Sequence, residues 1–318
     1  MSSRTCDLRF SLQGRYASVL DLSAFGITNA AVTIHGHALH AGNGIPEAEF
    51  IDLAKEGGKF IKARLHDYLR KSNLNFGSNH LVILDMEPGY VDDKGNSVNF
   101  PPAGLGRYEG LIREETGRLM QDELIEAYSQ RITAAREVLL KDWPTVKIGL
   151  YGVVVPDGKG QEDERFLQRM RGYKRARKLG MFDQVDYLVP VLYTRFGESD
   201  SPADLEKLHS WIEASARQAI TNSKKLTRHN GKTIPLAPIL TFWVANGKSK
   251  HHEKAILHQT MGLQLRILRS YRSVGMIVLW SGKETKEEME SDPDFKFESL
   301  DINNFLNNVD ELPLAGCK

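Results

Sequence analysis

Only two cysteines, Cys6 and Cys317, occur in the 318 residues, and they lie at opposite ends of the chain. So few exclude a disulfide framework and a cysteine-rich zinc site. They set the expectation of a reduced, cytoplasmic protein. No run of roughly 18 apolar residues is present, so no membrane span is expected. The N-terminal stretch MSSRTCDLRFSLQGR is polar and lacks the apolar centre of a secretory signal. An excess of charge of one sign is missing as well. The 42 basic and 41 acidic residues leave a formal charge of +1, so nothing global calls for a nucleic acid or an anionic membrane as partner. There is no internal repeat, low-complexity tract or clear linker. A single domain over residues 1–318 is expected.

What is present is a regular alternation. Hydrophobic residues make up 41% of the chain, enough for a sizeable core. Short apolar runs at 17–22, 31–35, 80–85, 147–155, 185–193, 234–242 and 276–280 read as strands. Most are continuous rather than alternating, which suits parallel strands buried on both faces. Amphipathic helical patterns lie between them, at 47–69, 122–140, from 202 onward and at about 253–271. In the second of these, Leu124, Tyr128, Ile132, Ala135 and Leu139 recur at steps of three and four. The tetrad Ser201-Pro202-Ala203-Asp204 reads as a helix start, with a cap, a proline in the first turn and an acid behind it. The pattern predicts an α/β fold, a (β/α)8 TIM-type barrel with seven or eight strands. A doubly wound open sheet is the rival.

Three connections are long and polar: 87–120, 156–166 and 282–299. The first two directly follow strands, where a barrel builds its active face. The first is rich in Gly, Pro and Asn and carries Tyr90, Phe100 and Tyr108, a composition fit for a substrate wall or lid.

At the start of that loop stands the segment LVILDMEPGY. Residues i and i+2 of a strand point the same way, so Asp85 and Glu87 share a face with Cβ atoms roughly 6–7 Å apart. Two carboxylates that close disfavour joint ionisation, and one is pushed towards its neutral form. A carboxylic acid still protonated near neutral pH can protonate a leaving glycosidic oxygen. Glu87, further towards the active face, is the general-acid candidate, and Asp85 is its charged partner. The competing reading is structural: acids at strand ends also cap turns or pair with a nearby Arg or Lys.

Several segments, in order from about residue 31 to 283, resemble the hyaluronidase family of glycoside hydrolases. They are VTIHGHALHAGNGIP, LVILDMEPGY, VKIGLYGVVVPDG, VDYLVPVLYTRF, LAPILTFW and GMIVLWSG. The resemblance implies a variant TIM barrel. It implies Glu87 as general acid/base, and Asp85 as the residue orienting and charge-stabilising an N-acetyl group of the substrate. In that mechanism the acetamido oxygen attacks the anomeric carbon, so no protein nucleophile is needed. Tyr193 matches a tyrosine contacting the acetamido group, and Trp280 matches a tryptophan on the pocket floor. The chain departs from the family in several ways, its secretory signal being among the features not seen. A second pocket tyrosine is replaced by the stretch Gly-Val-Val-Val, with Tyr151 nearby. The family's disulfides are absent. Pro-Gly follows Glu87 where charged and aromatic residues are usual.

Other constellations point elsewhere. His35-Gly36-His37 after an apolar strand invites a metal site, but such sites need further ligands on later strands, and the runs at 147–155, 185–193 and 276–280 bring no histidine. These histidines fit better as pocket lining or as partners of loop carbonyls. His251-His252 reads as a solvated helix start. Arg169, Arg171, Lys174, Arg175, Arg177 and Lys178 form a basic cluster, read as a solvated helix face, with polyanion binding as the other option. Trp243 reads equally as rim packing or as a sugar platform. Gly158-Lys159-Gly160 is too short for a phosphate loop. The expected protein is therefore a retaining glycosidase without cofactor or metal, acting on an N-acetylhexosamine-containing glycan. Tyr193, Trp280, Tyr151, Trp243 and His35 are its substrate-binding candidates. A non-catalytic carbohydrate-binding barrel is the alternative, and a metal hydrolase centred on His35 and His37 comes third. The substrate expected is a glycan, with an anionic one open; no nucleic acid or membrane is expected as partner.

Overall fold

The computed structural model describes residues 9–13, 27–28, 31–40, 45–72, 74, 76–77, 80–87, 90–91, 97–98, 115–153, 164–193, 202–241 and 258–280. The strands are β1 (Arg9–Gln13), β2 (Ile27–Thr28), β3 (Ala31–His35), β4 (Leu81–Asp85), β5 (Tyr90–Val91), β6 (Ser97–Val98), β7 (Lys147–Tyr151), β8 (Tyr187–Val189), β9 (Ile239–Thr241) and β10 (Met276–Trp280). The helices are α1 (Glu47–Asp52), α2 (Lys59–Ser72), α3 (Glu115–Asp142), α4 (Glu164–Lys178), α5 (Pro202–Ser223) and α6 (His258–Arg269).

Two four-stranded sheets, β2-β1-β10-β9 and β3-β4-β7-β8, are parallel throughout. Parallel bridges between Leu188 and Leu236 and between Val191 and Ile239 join them where β8 meets β9. At the far end, β1 lies beside β3. From β3 round to β10 and β1, spatial order follows sequence order without the reversal that defines a doubly wound sheet. The fold is therefore an α/β TIM-type barrel.

The side chains explain why the strands read as continuous apolar runs. Alternate residues belong to two cores. Ala31, Leu81, Ile83, Val189, Val191, Ala237, Ile239, Met276 and Val278 form an inner cluster, with Tyr151, Tyr187, Tyr193 and Trp280 packed against it. The residues between them, among them Ile34, Val82, Leu84, Ile148, Leu150, Leu188, Leu240, Ile277 and Leu279, pack with the helices. Strands covered on both faces have no polar side. Gly149, which sits in register with Ile83 and Tyr187, has no room for a larger residue. A Cβ there would stand 2.9 Å from Val189 Cγ2 and 3.1 Å from Leu81 Cδ1.

Several expectations are corrected. The run at 17–22 lies outside the described residues, and the N-terminal stretch read only as polar contains β1, paired along β10 from Arg9↔Met276 to Gln13↔Trp280. Its sequence RFSLQ alternates polar and apolar residues and lacks the continuous apolar run shown by its neighbours. The helix expected at 47–69 is broken into α1 and α2. Glu56, Gly57 and Gly58 adopt φ of 57°, 65° and 70°, a left-handed stretch that no α-helix accommodates. Gly58 passes close to α3, where a Cβ would fall 2.9 Å from Ala134 Cβ. Helix α5 starts at Pro202 as expected; Ser201 lies outside the described residues.

One unforeseen contact anchors the segment behind β3. Arg131 of α3 is fully buried. It donates from Nη2 to the Phe50 carbonyl at 2.8 Å and from Nη1 to the Ala127 carbonyl at 3.0 Å. Its guanidinium carbon lies 3.4 Å from the centre of the Phe50 ring. Phe50 in turn packs against Tyr128 and, edge-on, against His40. A buried cation with no carboxylate partner among the described residues survives there through carbonyl dipoles and an aromatic face. Burial lowers its pKa to about 9.

Candidate functional site

The parallel register brings the candidate residues to one level. His35 ends β3 and Asp85 ends β4, and the two are direct neighbours in the ladder. Tyr151 ends β7, and Trp280 ends β10. Tyr193 lies four residues beyond the end of β8 and on the same inner cluster. All these positions continue the inward-facing alternation, and all sit at the C-terminal edge of the strands, the active end of such barrels.

Asp85 is buried and held from two sides. His35 Nδ1 lies 2.8 Å from Asp85 Oδ2. The backbone N–H of Glu87 donates to Asp85 Oδ1 at 3.1 Å. A carboxylate only accepts, so the hydrogen of the first contact resides on Nδ1. The N–H of Gly36 then donates to the Glu87 carbonyl at 3.1 Å. The dipeptide His35-Gly36 therefore grips the acid strand twice, once through a side chain and once through the backbone.

Glu87 is half-buried, and its pKa is raised to about 7. Burial is the larger cause and the charge of Asp85 the second, while His35 opposes the rise. Carboxylate repulsion, the cause expected from the D-x-E spacing, is real but subordinate: withdrawal from water does more.

Three aromatic residues at the same end of the barrel pack together. Tyr151 donates its hydroxyl hydrogen to the Tyr193 hydroxyl at 3.1 Å. Tyr193 stacks on Trp280 with ring centres 5.3 Å apart and planes 24° from parallel. Burial pushes the Tyr193 phenol well above its ordinary pKa, with contributions from Tyr151, Asp85 and Glu87. Both acids act on it electrostatically, so Tyr193 lies on their side of the barrel. It is a neutral phenol at any physiological pH. Tyr151 thus stands beside Tyr193 although the motif that would supply a second tyrosine is missing.

His37 is exposed, its ring parallel to that of His35 at 6.0 Å and edge-on to Tyr68 at 5.8 Å. Burial, then His35 and Arg64, lower its pKa, against an opposing pull from Asp85. Among the described residues no group of three or more His, Cys, Asp or Glu side chains is placed to hold a metal ion. His35 turns its Nδ1 to Asp85. Trp243, His251, His252, Phe100 and Tyr108 lie outside the described residues; the backbone of Tyr90 pairs with Val98 in the β5–β6 hairpin. The basic cluster falls on α4, where Arg175 Nε donates to Asp122 Oδ1 at 2.7 Å. No helix among the described residues is long and apolar enough to cross a membrane.

The link between His35 and Asp85 was the main feature missed from the sequence. A signal existed: AVTIH and LVILD are runs of equal length, each ending in a polar residue. Only the register shows that the two ends coincide.

No family model matches the sequence, and no curated protein matches it. Solved structures do match the fold. The crystal structure of bee venom hyaluronidase in a monoclinic form aligns over 95% of this chain and 97% of its own, with a TM-score of 0.55 and 13% identity. The same enzyme in complex with a hyaluronic acid tetramer aligns over 95% of this chain and 96% of its own, with a TM-score of 0.56 and 13% identity. A broad-specificity endoglucanase from an uncultured bacterium aligns over 86% of this chain and 70% of its own, with a TM-score of 0.46 and 8% identity. At 13% identity the likeness to the bee venom enzyme is one of fold, and in fold this chain is similar to a hyaluronidase barrel over nearly its whole length.

Proposed function

We propose that this chain is a glycoside hydrolase that cleaves an N-acetylhexosamine-containing glycan with retention of configuration. Glu87 is the general acid/base, and Asp85 orients the substrate's acetamido group. The observation that carries the reading is the placement of Glu87: its half-buried carboxyl lies just past the C-terminal end of β4, its backbone bonded to Asp85, and burial raises its pKa to about 7. A catalytic acid works best when its pKa lies near the working pH. The similarity in fold to a hyaluronidase barrel agrees with this reading.

The steps follow from the residues. Protonated Glu87 gives its hydrogen to the glycosidic oxygen as the bond to the anomeric carbon breaks. The acetamido oxygen attacks that carbon and forms a cyclic oxazolinium ion. Asp85, whose two oxygens are fixed by His35 and the Glu87 amide, is suited to steadying the developing positive charge rather than to nucleophilic attack. Glu87, now a carboxylate, removes a proton from the water that opens the ring. Tyr193 accepts its hydrogen bond from Tyr151, so its own O–H is available to donate to the acetamido group. Trp280 offers an aromatic face to sugar C–H groups. Trp243 is proposed as a further sugar contact on its sequence position alone.

The test is a screen of chromogenic glycosides and a glycan array with wild type and Glu87→Gln. Turnover by wild type, with a loss of roughly 10²–10⁴ in the variant and retained binding, supports the reading. Full activity in Glu87→Gln overturns it. Saturable binding without turnover by wild type over days assigns the barrel to carbohydrate binding alone.

A further inference from the structure

His35, a substrate-binding candidate by its place in the sequence, has a second role that its geometry supports. Its Nδ1 is committed to Asp85 Oδ2 at 2.8 Å. The next residue, Gly36, donates from its backbone to the Glu87 carbonyl. Asp85 uses its other oxygen for the Glu87 N–H. These three hydrogen bonds close a ring that runs from β3 to the Asp85 side chain, on to the Glu87 backbone and back to β3. Rotation of the Asp85 carboxyl would break two of them.

The groups around His35 set its electrostatics. Asp85 and Glu87 face it from the end of β4. His37 lies parallel to it one residue beyond Gly36, and α2 brings Arg64 and Tyr68 up behind His37. Arg64 and burial favour the neutral form of His37.

We propose that His35 is a positioning residue of the acid pair, holding Asp85 in the rotamer that presents it to substrate and, through Asp85 and Gly36, fixing Glu87. The inference rests on the reading that Asp85 and Glu87 are the reacting acids. His35 acts through them and makes no bond to the sugar.

Two measurements test it. In kinetics, His35→Ala and His35→Gln should lower kcat by roughly a hundred-fold, the scale of a 1 Å misplacement, with KM within about two-fold of wild type. His35→Asn should recover most of the loss, because its amide nitrogen falls where Nδ1 of histidine does. In His35→Ala the alkaline limb of kcat/KM should move to higher pH, because His35 opposes the raised pKa of Glu87. A substrate contact would instead raise KM, and a purely structural role would leave the limb in place; either result overturns the proposal. The second measurement needs no turnover. Nitrogen-15 NMR of the histidine rings in wild type and Asp85→Asn should show the His35 titration midpoint fall in the variant. An unchanged midpoint means that His35 does not hold Asp85, and the proposal fails. If wild type hydrolyses no glycan, the glycosidase reading fails alone, and the NMR result still decides the hold of His35 on Asp85.

Discussion

The Glu87 amide and the Asp85 carboxylate are joined by a 3.1 Å hydrogen bond, so the residue that raises the Glu87 pKa also fixes its backbone. Asp85→Asn separates these two roles. The asparagine oxygen can still accept the amide hydrogen, but the negative charge is gone. Since that charge is the second cause of the Glu87 shift, the Glu87 pKa falls below about 7, while burial keeps it above the ordinary carboxyl value. If Glu87 must be protonated to act, activity is lost as pH rises through its pKa. The alkaline limb of kcat/KM therefore moves to lower pH in Asp85→Asn, opposite in sign to the shift expected for His35→Ala. The lost stabilisation of positive charge should lower kcat by roughly 10²–10³. A pH–rate profile of the variant checks both.

Glu87 also predicts a stability difference. Its folded pKa of about 7 exceeds the unfolded value of about 4.3. Between these values the folded state binds more protons, so stability falls as pH rises from about 4.3 to about 7 and is level above that. Glu87→Gln removes the buried charge. The variant should match wild type near pH 4 and exceed it at pH 8. After discounting for solvent around a half-exposed group, the gain is about 1 kcal/mol, or roughly 1.5 °C in Tm. Thermal melts at the two pH values decide it, and equal Tm at pH 8 would show that Glu87 is ionised without cost.

How much of this was legible in the sequence depended on burial. Continuous apolar runs marked β3, β4, β7, β8, β9 and β10 because both faces of each are covered. The runs around β8 and β9 read too long for a reason also present in the sequence. Proline has no N–H for the ladder, and β8 stops before Pro190 while β9 starts after Pro238. The chain there continues by single contacts, such as the Ile239 N–H to the Pro190 carbonyl. β1 was missed because it pairs along its whole length without a continuous apolar run. The acid pair was visible from spacing alone, since i and i+2 share a face. The His35–Asp85 bond and the Tyr151–Tyr193 bond were not, because each joins residues 50 and 42 positions apart, and strand register rather than local pattern brings them together.

The interior of the barrel makes a sharper stability prediction at Gly149. An added methyl meets Val189 Cγ2 at 2.9 Å and Leu81 Cδ1 at 3.1 Å, both fully buried and confined by neighbouring strands. Overpacking of this kind costs typically about 1–3 kcal/mol. Gly149→Ala should therefore lower Tm by several degrees. It should also lower activity, because Tyr151 lies two residues along the same strand and takes up any displacement of β7. A double variant with Val189→Ala makes space on one side and should recover part of the stability. Denaturant titration of the single and double variants tests this, and additive losses would place the strain elsewhere.

The aromatic cluster leads to the last prediction. Trp280 is in parallel contact with Tyr193 at 5.3 Å, and Tyr193 is tied to Tyr151. If Trp280 faces the sugar as proposed, removing the indole takes away that surface and one side of the Tyr193 packing together. Trp280→Ala, built on Glu87→Gln so that bound glycan is not turned over, should weaken binding about ten- to a hundred-fold, or roughly 1.4–2.8 kcal/mol. Trp280→Phe keeps an aromatic face and should fall between the two. Tyr193→Phe keeps the stack but removes the hydroxyl that accepts from Tyr151. If that hydroxyl meets the acetamido group, this variant should lose affinity for N-acetylated glycans while binding their de-N-acetylated counterparts as before. Calorimetry on a matched pair of oligosaccharides reads the difference. An equal loss for both sugars would mean that Tyr193 serves as packing for Trp280 and leaves acetamido recognition to other residues.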